Sequence, residues 1–237
     1  ASAGGIDRSG QSITPLFQEG NYAELSFGVV NPNVSGSVVG LNSQDMAGTY
    51  WQIGAAFKQQ VTDNLSYAVI FDQPFGADAS YPAASGYPLA GTTAEFQADA
   101  ITGVLNYHMD NGFGVHGGLR IQKVSATSTT VAAGAPIYSV VGAVDYGAGY
   151  LAGVSYEKPD IALRVSLTYN SKIKTKHDTF ETSALGGNRF SITEIETPQS
   201  VNLDFQTGVA ANTLVFGGVR WVDWSDFVID PTDYRTA

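Results

Sequence analysis

The chain has 237 residues, of which 12 are lysine or arginine, 22 are aspartate or glutamate and none is cysteine. It is 43% apolar and only 14% charged, with a formal net charge of −10. This composition argues against disorder, against binding of nucleic-acid phosphates, and against disulfide frameworks, thiolate zinc sites and cysteine nucleophiles. No apolar run reaches the roughly 18 residues of a transmembrane helix, but a membrane β-barrel carries apolar residues only at every second position.

Alternation of large apolar residues with small or polar ones predicts β-strands along most of the chain. From Ile161 to Tyr169, for example, the large apolar residues occupy odd positions and the small or polar residues fill the even ones. The same pattern predicts nine strands, at about 21–30, 49–60, 65–74, 94–108, 113–124, 145–157, 161–171, 200–210 and 213–223.

The connections between these strands alternate strictly between short and long. The short ones are turns near residues 63, 111, 159 and 212, and the long ones span 31–48, 75–93, 125–144 and 172–199. An up-and-down membrane barrel has this arrangement, with short periplasmic turns and long extracellular loops. We therefore predict an all-β, antiparallel transmembrane β-barrel.

The distribution of charge between the two faces of each strand supports this fold. The apolar faces, which would contact lipid, are free of charge, whereas the opposite faces carry residues such as Glu24, Asp72 and Arg164. The segment from Glu95 to Asp99 departs from the pattern, because its acidic residues share parity with apolar Ile101. Either a β-bulge or a strand that projects above the membrane would explain the departure.

Nine is an unexpected number of strands for such a barrel. Bacterial single-chain barrels have even strand counts, and an unpaired strand edge is not tolerated in the bilayer. We therefore expect that the barrel is incomplete at the C-terminal end of this sequence.

Six segments, in their order and spacing, resemble the FadL-type outer-membrane transport proteins. They are residues 7–12 (DRSGQS), 20–28 (GNYAELSFG), 31–36 (NPNVSG), 156–159 (YEKP), 164–169 (RVSLTY) and 221–227 (WVDWSDF). The resemblance implies a fourteen-stranded barrel plugged by an N-terminal hatch, of which this chain supplies the hatch, residues 1–20, and the first nine strands within residues 21–237. The hatch is shorter than in better-known members of the family.

The resemblance also implies a lateral opening in the barrel wall. Pro74 and Gly76 interrupt the third strand, since proline cannot donate to a strand ladder and glycine weakens one. The simpler interpretation is an ordinary strand end above the membrane. In the family, a kink at this place opens a lateral hole through which an apolar ligand leaves.

Four basic residues are candidates for binding a carboxylate headgroup by charge-assisted hydrogen bonds: Arg120, Lys123, Arg164 and Arg220. Arg120 with Lys123 is the favoured pair, because the fifth strand carries such a residue in the family. A bulge would have to turn Lys123 inward. The alternative is that these residues form salt bridges inside a polar barrel.

Leu16 and Phe17 in the hatch, and Phe75 beyond the break in the third strand, are candidates for plugging or lining a ligand pocket. For the two hatch residues, the alternative is simple packing against the barrel wall. Lys172, Lys174 and Lys176 alternate above the seventh strand and could touch lipopolysaccharide phosphates.

The predicted function is passive uptake of hydrophobic molecules, most of all long-chain fatty acids, across the bacterial outer membrane. The alternatives are uptake of aromatic hydrocarbons or alkanes, and a structural or adhesive barrel that transports nothing. Sequence motifs for an enzyme are missing, and we predict no cofactor, no metal and no nucleic-acid partner. The expected partners are a hydrophobic small molecule, outer-membrane lipid and lipopolysaccharide.

Overall fold

The computed structural model describes residues 3–184, 186–229 and 231–232. Residues 1–2 of the predicted hatch and residues 233–237 of the predicted barrel region lie outside this described part of the chain. Within it there are four short 3-10 helices: η1 (Ala3–Ile6), η2 (Thr14–Phe17), η3 (Ala83–Ser85) and η4 (Pro159–Ile161). Among the described residues, no helix has the length and apolar character needed to cross a membrane.

The described residues form fourteen β-strands. They are β1 (Tyr22–Val30), β2 (Ser37–Val38), β3 (Leu41–Asn42), β4 (Tyr50–Gln60), β5 (Leu65–Ser80), β6 (Thr93–His108), β7 (Phe113–Ala132), β8 (Ala135–Gly142), β9 (Asp145–Lys158), β10 (Leu163–Asn170), β11 (Ile173–Ser183), β12 (Gly187–Thr197), β13 (Ser200–Ala210) and β14 (Thr213–Val222).

Nine of these strands form the wall of a curled half-barrel. Each pairs antiparallel with the next in the order β1-β4-β5-β6-β7-β9-β10-β13-β14. The nine predicted strands coincide with these nine, and the predicted antiparallel, up-and-down fold is confirmed. The tight connections all lie at one end of the wall, called here the short-turn end, and the long connections at the other, called the long-loop end.

Three of the long connections that were expected to be loops contain further strands. The connection 31–48 holds the short pair β2 and β3, and 125–144 and 172–199 hold longer strands. β7 continues to Ala132 and pairs with β8, and β8 pairs in turn with β11 of the β11–β12 hairpin. These strands extend the wall upward at the long-loop end. Most of the buried positions of β11 are polar, such as Thr175, His177 and Thr179, so apolar alternation does not predict the β11–β12 hairpin.

Side chains alternate between the convex and the concave face of the wall, as the pleat of a strand requires. The neighbours Leu119 and Arg120 illustrate this, because Leu119 is 72% exposed on the convex face and Arg120 only 4% exposed on the concave face. The N-terminal segment lies against the concave face. There Ile13 and Leu16 pack on Ala56, Ala68, Ile70, Val104 and Leu151 of the wall.

Candidate functional site

An apolar cavity of about 260 Å³ lies inside the long-loop end. Its wall combines β6 and β7 with the hairpin and with the segment that follows β14. Aromatic rings pack edge-to-face beside it, with centroids 6.0 Å apart for Phe96 and Phe227 and 5.6 Å apart for Trp224 and Phe227. The described lining contains no lysine and no arginine. It consists of Ile6, Ala77, Ala94, Glu95, Phe96, Ala126, Thr127, Ser128, Tyr138, Val140, Gly142, His177, Thr179, Thr193, Ile195, Phe227, Ile229 and Pro231.

The imidazole at the edge of this cavity is fixed by hydrogen bonds. His177 Nδ1 lies 2.7 Å from the carbonyl oxygen of Ala143, which can only accept, so Nδ1 carries the proton. Nε2 lies 2.8 Å from Thr175 Oγ1, which also donates to the carbonyl oxygen of Ile195 at 3.3 Å. Both ring nitrogens are therefore held, and the orientation of the ring is fixed.

The wall of the half-barrel is interrupted between β4 and β5. In the described structure these strands pair from Gln60↔Ser66 up to Ala55↔Phe71 and no further, and the next contact above is the bridge Ala47↔Ala79. We call the unpaired stretch between residues 50–54 and 72–77 the wall gap. One side chain spans it, since Gln73 Oε1 accepts a hydrogen bond of 3.0 Å from the Ile53 backbone N–H.

Pro74 and Gly76 lie on the β5 side of the wall gap. The pairing of β5 with β6 shifts register between Asp72 and Phe75, which is the bulge that contains Pro74, and then continues through Gly76↔Gln97. Strand β5 thus loses its β4 neighbour but keeps its β6 neighbour. A β-carbon at position 76 would overlap the guanidinium of Arg8, so a glycine is needed there for Arg8 to lie against the strand.

A second cavity, of about 380 Å³, occupies the wall gap and is called the gap cavity. Arg8, Tyr50, Trp51, Gln73 and Asp78 line it, together with residues of β6 and β7. It shares five lining residues with the apolar cavity: Ala77, Glu95, Phe96, Ala126 and Thr127. The apolar cavity and the gap cavity are therefore adjacent.

The N-terminal segment covers the inner side of the wall gap. The backbone N–H groups of Arg8 and Ser9 donate to the carbonyls of Pro74 and Gln73, at 2.9 and 3.2 Å. Arg8 Cζ lies 3.8 Å from the centroid of the Tyr50 ring on the opposite side of the gap. The segment thus occupies part of the strand edge that β4 leaves free.

Polar contacts hold the rest of this segment to the barrel. Asp7 pairs with Arg220, and Ser9 Oγ donates to Asp72 Oδ2 at 2.6 Å. Lys58 Nζ donates to the carbonyls of Gln18 and Gly20, at 2.7 and 2.9 Å. The hatch is therefore fastened at both ends.

The four basic residues predicted to bind a headgroup do not form one group. Arg120 and Arg220 interact electrostatically with each other and with Asp72, but Lys123 lies on the opposite face of the wall. Arg120 donates to Thr102 Oγ1 at 2.9 Å and to Asn170 Oδ1 at 3.0 Å, and it interacts electrostatically with Asp72. Arg164 contacts the hatch, with Nη1 3.3 Å from the carbonyl of Phe17. Arg220 pairs with Asp7. These three arginines stabilise the barrel and its hatch.

Lys123 lies on the convex face, apart from Arg120. Its partners across the strands are Asp99 on β6 and Tyr146 on β9. The bulge that would turn Lys123 inward is missing, because the β6–β7 register runs unbroken from Thr93↔Thr129 to His108↔Gly114 among the described residues. The expected pair of Arg120 and Lys123 is therefore not formed.

The unbroken register also places the acidic segment of β6. Of the two explanations for residues 95–99, a bulge in β6 is excluded. Glu95, Gln97 and Asp99 keep the outward parity of the strand, and Glu95 and Gln97 line the gap cavity.

The predicted plug residues separate into two places. Leu16 and Phe17 lie in the hatch towards the short-turn end, where the Phe17 ring meets His116 edge-on with centroids 5.7 Å apart. Neither lines the apolar cavity. Phe75 is fully buried beside Phe96 in the cluster that adjoins that cavity.

Several residues of the cavity escaped sequence reasoning. Phe96 has polar neighbours on β6 that conceal it in the sequence, and Ile195 and Phe227 lie in segments that the sequence predicts to be loops. The one signal that could have found this region was the acidic departure from alternation at residues 95–99. No group of three or more histidine, aspartate or glutamate side chains able to hold a metal occurs among the described residues.

The fold has clear relatives among solved structures. A FadL homologue from Pseudomonas aeruginosa superposes with a TM-score of 0.63 at 14% identity, over 86% of this chain and 59% of that one. The toluene transporter TbuX from Ralstonia pickettii gives a TM-score of 0.64 at 13% identity, over 92% of this chain and 68% of that one. The TodX deltaS2S3 mutant monoaromatic hydrocarbon channel gives 0.61 at 13% identity, over 88% of this chain and 63% of that one.

The chain has the FadL-type outer-membrane transporter fold. It spans about three fifths of the length of the P. aeruginosa FadL homologue. No protein-family model and no curated protein sequence matches it. At such low identities the FadL-type fold is what the likeness establishes, and the activity has to be argued from the residues of this chain.

Proposed function

We propose that the protein mediates passive uptake of hydrophobic small molecules across a bacterial outer membrane. The observation that carries this proposal is the contact between the apolar cavity and the gap cavity, which together lead from the interior of the half-barrel to its convex face. The solved structures of this fold include a toluene transporter and a monoaromatic hydrocarbon channel, which agrees with such a role.

The location in a membrane is supported by the convex face of the wall. Large apolar side chains are exposed there in a continuous band, and in water such a surface would associate. The band includes Leu25 and Phe27 on β1, Leu119 and Ile121 on β7, and Val219 on β14. In this proposal the short-turn end faces the periplasm and the long-loop end faces the outside.

The cargo that suits the apolar cavity best is a neutral hydrocarbon rather than a fatty acid. Binding a carboxylate in an apolar cavity requires a charged donor that faces it. Arg120, Arg164 and Arg220 are engaged elsewhere, and Lys123 lies outside. Long-chain fatty acids, the cargo expected from the resemblance, therefore take second place.

The lysines that could reach lipopolysaccharide are balanced by acidic partners on the same hairpin. Lys172 and Lys174 lie 2.9 and 3.1 Å from Glu196, and Lys176 lies 3.9 Å from Glu194. Contact with lipopolysaccharide phosphates stays a prediction. The convex apolar band supports contact with lipid tails.

Uptake of radiolabelled toluene tests this function, using the full-length protein in a strain that lacks its own hydrocarbon transporters. Ala126 lines both cavities, so Ala126→Phe should fill them and reduce uptake to the level of the empty vector. Ala148→Phe is the matched control, since Ala148 is exposed on the convex face. Equal uptake by cells with and without the protein would exclude the proposal.

A further inference from the structure

The lining of the gap cavity is unusual for an exit that an apolar molecule would use. Asp78 on β5 and Glu95 on β6 are direct partners across the two strands, and both line this cavity. Residues directly opposite on antiparallel strands have β-carbons about 4.5–5.5 Å apart, and like charges in that position destabilise the sheet. A third carboxylate, Asp99, lies close by and accepts a hydrogen bond of 3.0 Å from Gln73, but Lys123 is its direct partner across β6 and β7 and balances its charge.

The opposing positive charge at this place is small. Arg8 is the basic residue of the described lining, and it interacts electrostatically with both Asp78 and Asp99. Its guanidinium is already placed over the Tyr50 ring. Two lining carboxylates therefore face one guanidinium, and the passage has a net negative charge.

Glu95 occupies the position where this charge has the most effect. It lines the apolar cavity as well as the gap cavity, so it lies at the boundary between the two. A fixed carboxylate near a protein surface repels a second negative charge that comes close to it. Such a repulsion acts on an anion and leaves a neutral molecule unaffected.

We propose that Glu95 and Asp78 are specificity-determining residues that exclude organic anions from the passage between the apolar cavity and the wall gap. This inference rests on the proposed uptake function and adds a charge criterion to it. Neutral hydrocarbons pass, whereas carboxylates of the same size and shape bind weakly. The acidic segment on β6 thus acts as a filter at the opening.

A matched pair of probes, 4-bromobenzoate and its methyl ester, tests the filter. The two share the same ring and bromine, but only the acid is charged at neutral pH. Trp51 lines the gap cavity, so quenching of tryptophan fluorescence by the bromine reports binding to the purified full-length protein. The ester should bind the wild-type protein more tightly than the acid.

The Asp78→Asn/Glu95→Gln variant should reduce the ratio of the acid and ester dissociation constants by about tenfold, mostly by tighter binding of the acid. Raising the salt concentration should reduce the same ratio in the wild-type protein but change it little in the variant. Asp63→Asn/Asp178→Asn is the control for net charge, because it also removes two negative charges and both residues are exposed.

Three results would count against the filter. An unchanged ratio in Asp78→Asn/Glu95→Gln would overturn it, and so would the same change in the Asp63→Asn/Asp178→Asn control. If the wild-type protein binds neither probe, the proposed function fails and the filter fails with it. Far-UV circular dichroism of each variant separates these outcomes from loss of the fold.

Discussion

Arg220 and Asp7 lie 213 positions apart in the chain and form an ion pair with 2.7 Å between Nε and Oδ2. The same guanidinium donates to the carbonyl of Gly10 and to Gln11 Oε1, at 3.1 and 3.0 Å. One side chain on β14 therefore fixes three successive parts of the N-terminal segment. Since that segment covers the wall gap, the ion pair connects the last strand of the wall to the closure of the opening.

Asp7→Asn should loosen the N-terminal segment while the barrel stays folded. The variant removes a charge-assisted interaction of about 1.5–3 kcal/mol and leaves Arg220 without its carboxylate. Hydrogen exchange measured by mass spectrometry should show faster exchange in residues 7–12 and unchanged exchange in β6. Asp178→Asn provides the same change of net charge at a distant site, and similar exchange in both variants would contradict a specific role for the pair.

Leu119→Arg should destabilise the protein by about 2–4 kcal/mol, because it places a guanidinium on the lipid-facing side of β7. Arg120 shows that the next position accepts an arginine, but only on the concave face, where its hydrogen-bonding partners are. Leu119→Ala controls for the lost leucine and should have a much smaller effect. Urea unfolding in lipid vesicles, followed by tryptophan fluorescence, measures both, and equal losses would show that this face does not contact lipid.

Arg120→Met should reduce stability and leave the preference between acid and ester unchanged. The arginine is buried and donates to Thr102 and Asn170, and leaving buried acceptors without their donor costs about 1–3 kcal/mol. The two bromobenzoate probes and urea unfolding, applied to the same variant, distinguish this structural role from headgroup binding. Selective loss of binding to the acid would restore Arg120 as a headgroup residue.

The pairing of strands was predictable from the sequence because it depends on local alternation. The predicted strand at 200–210 coincides with β13, Ser200–Ala210. The β11–β12 hairpin was missed because its inward positions are polar, including His177 and Glu181, and their burial depends on partners distant in sequence. Apolar periodicity cannot detect such a strand.

The candidate site was harder to predict from the sequence than the strands were. Pro74 and Gly76 marked the break in β5, since their effects on a ladder are local. The apolar cavity, however, depends on Phe96, Ile195 and Phe227, which only the curvature of the wall brings together. The direction of Lys123 depended on a bulge, and residue type alone does not determine whether a strand contains one.

The β11–β12 hairpin should lose stability as the pH falls below about 4.5. Burial raises the pKa of the Glu196 carboxyl, but hydrogen bonds from Lys172 and Lys174 outweigh burial and hold the pKa below its ordinary value of 4.5. A carboxyl whose pKa is lowered on folding stabilises the fold above the unfolded-state pKa, and this contribution disappears as the pH falls through the folded-state pKa.

Hydrogen-exchange protection factors, corrected for the intrinsic effect of pH, measure this change. Amides of β11 and β12 should lose protection between neutral pH and about pH 3, whereas those of β6 should change less. Glu196→Gln cannot titrate, so its hairpin should already be less protected at neutral pH and show a smaller pH dependence. The same pH dependence in the wild type and the variant would exclude Glu196 as the cause.

Linking β4 to β5 across the wall gap should stop uptake if the cargo leaves laterally. The chain has no cysteine, so Ile53→Cys/Gln73→Cys introduces the only two thiols. The Ile53 N–H already lies 3.0 Å from Gln73 Oε1, which places both positions within reach of a short, reducible bis-thiosulfonate linker. Toluene uptake should fall towards that of the empty vector after linking and recover when the linker is reduced.

The control pair is Ala47→Cys/Ala79→Cys, whose positions form an antiparallel bridge immediately above the gap. Its linkage reinforces an existing contact and leaves the gap open, so uptake should be the same before and after linking. Comparing the linked and reduced forms of one variant also removes any effect of the substitutions themselves. If the linked Ile53→Cys/Gln73→Cys protein transports as fast as the reduced form, the cargo does not need the wall gap. The lateral exit is then wrong, and the cargo leaves at the short-turn end.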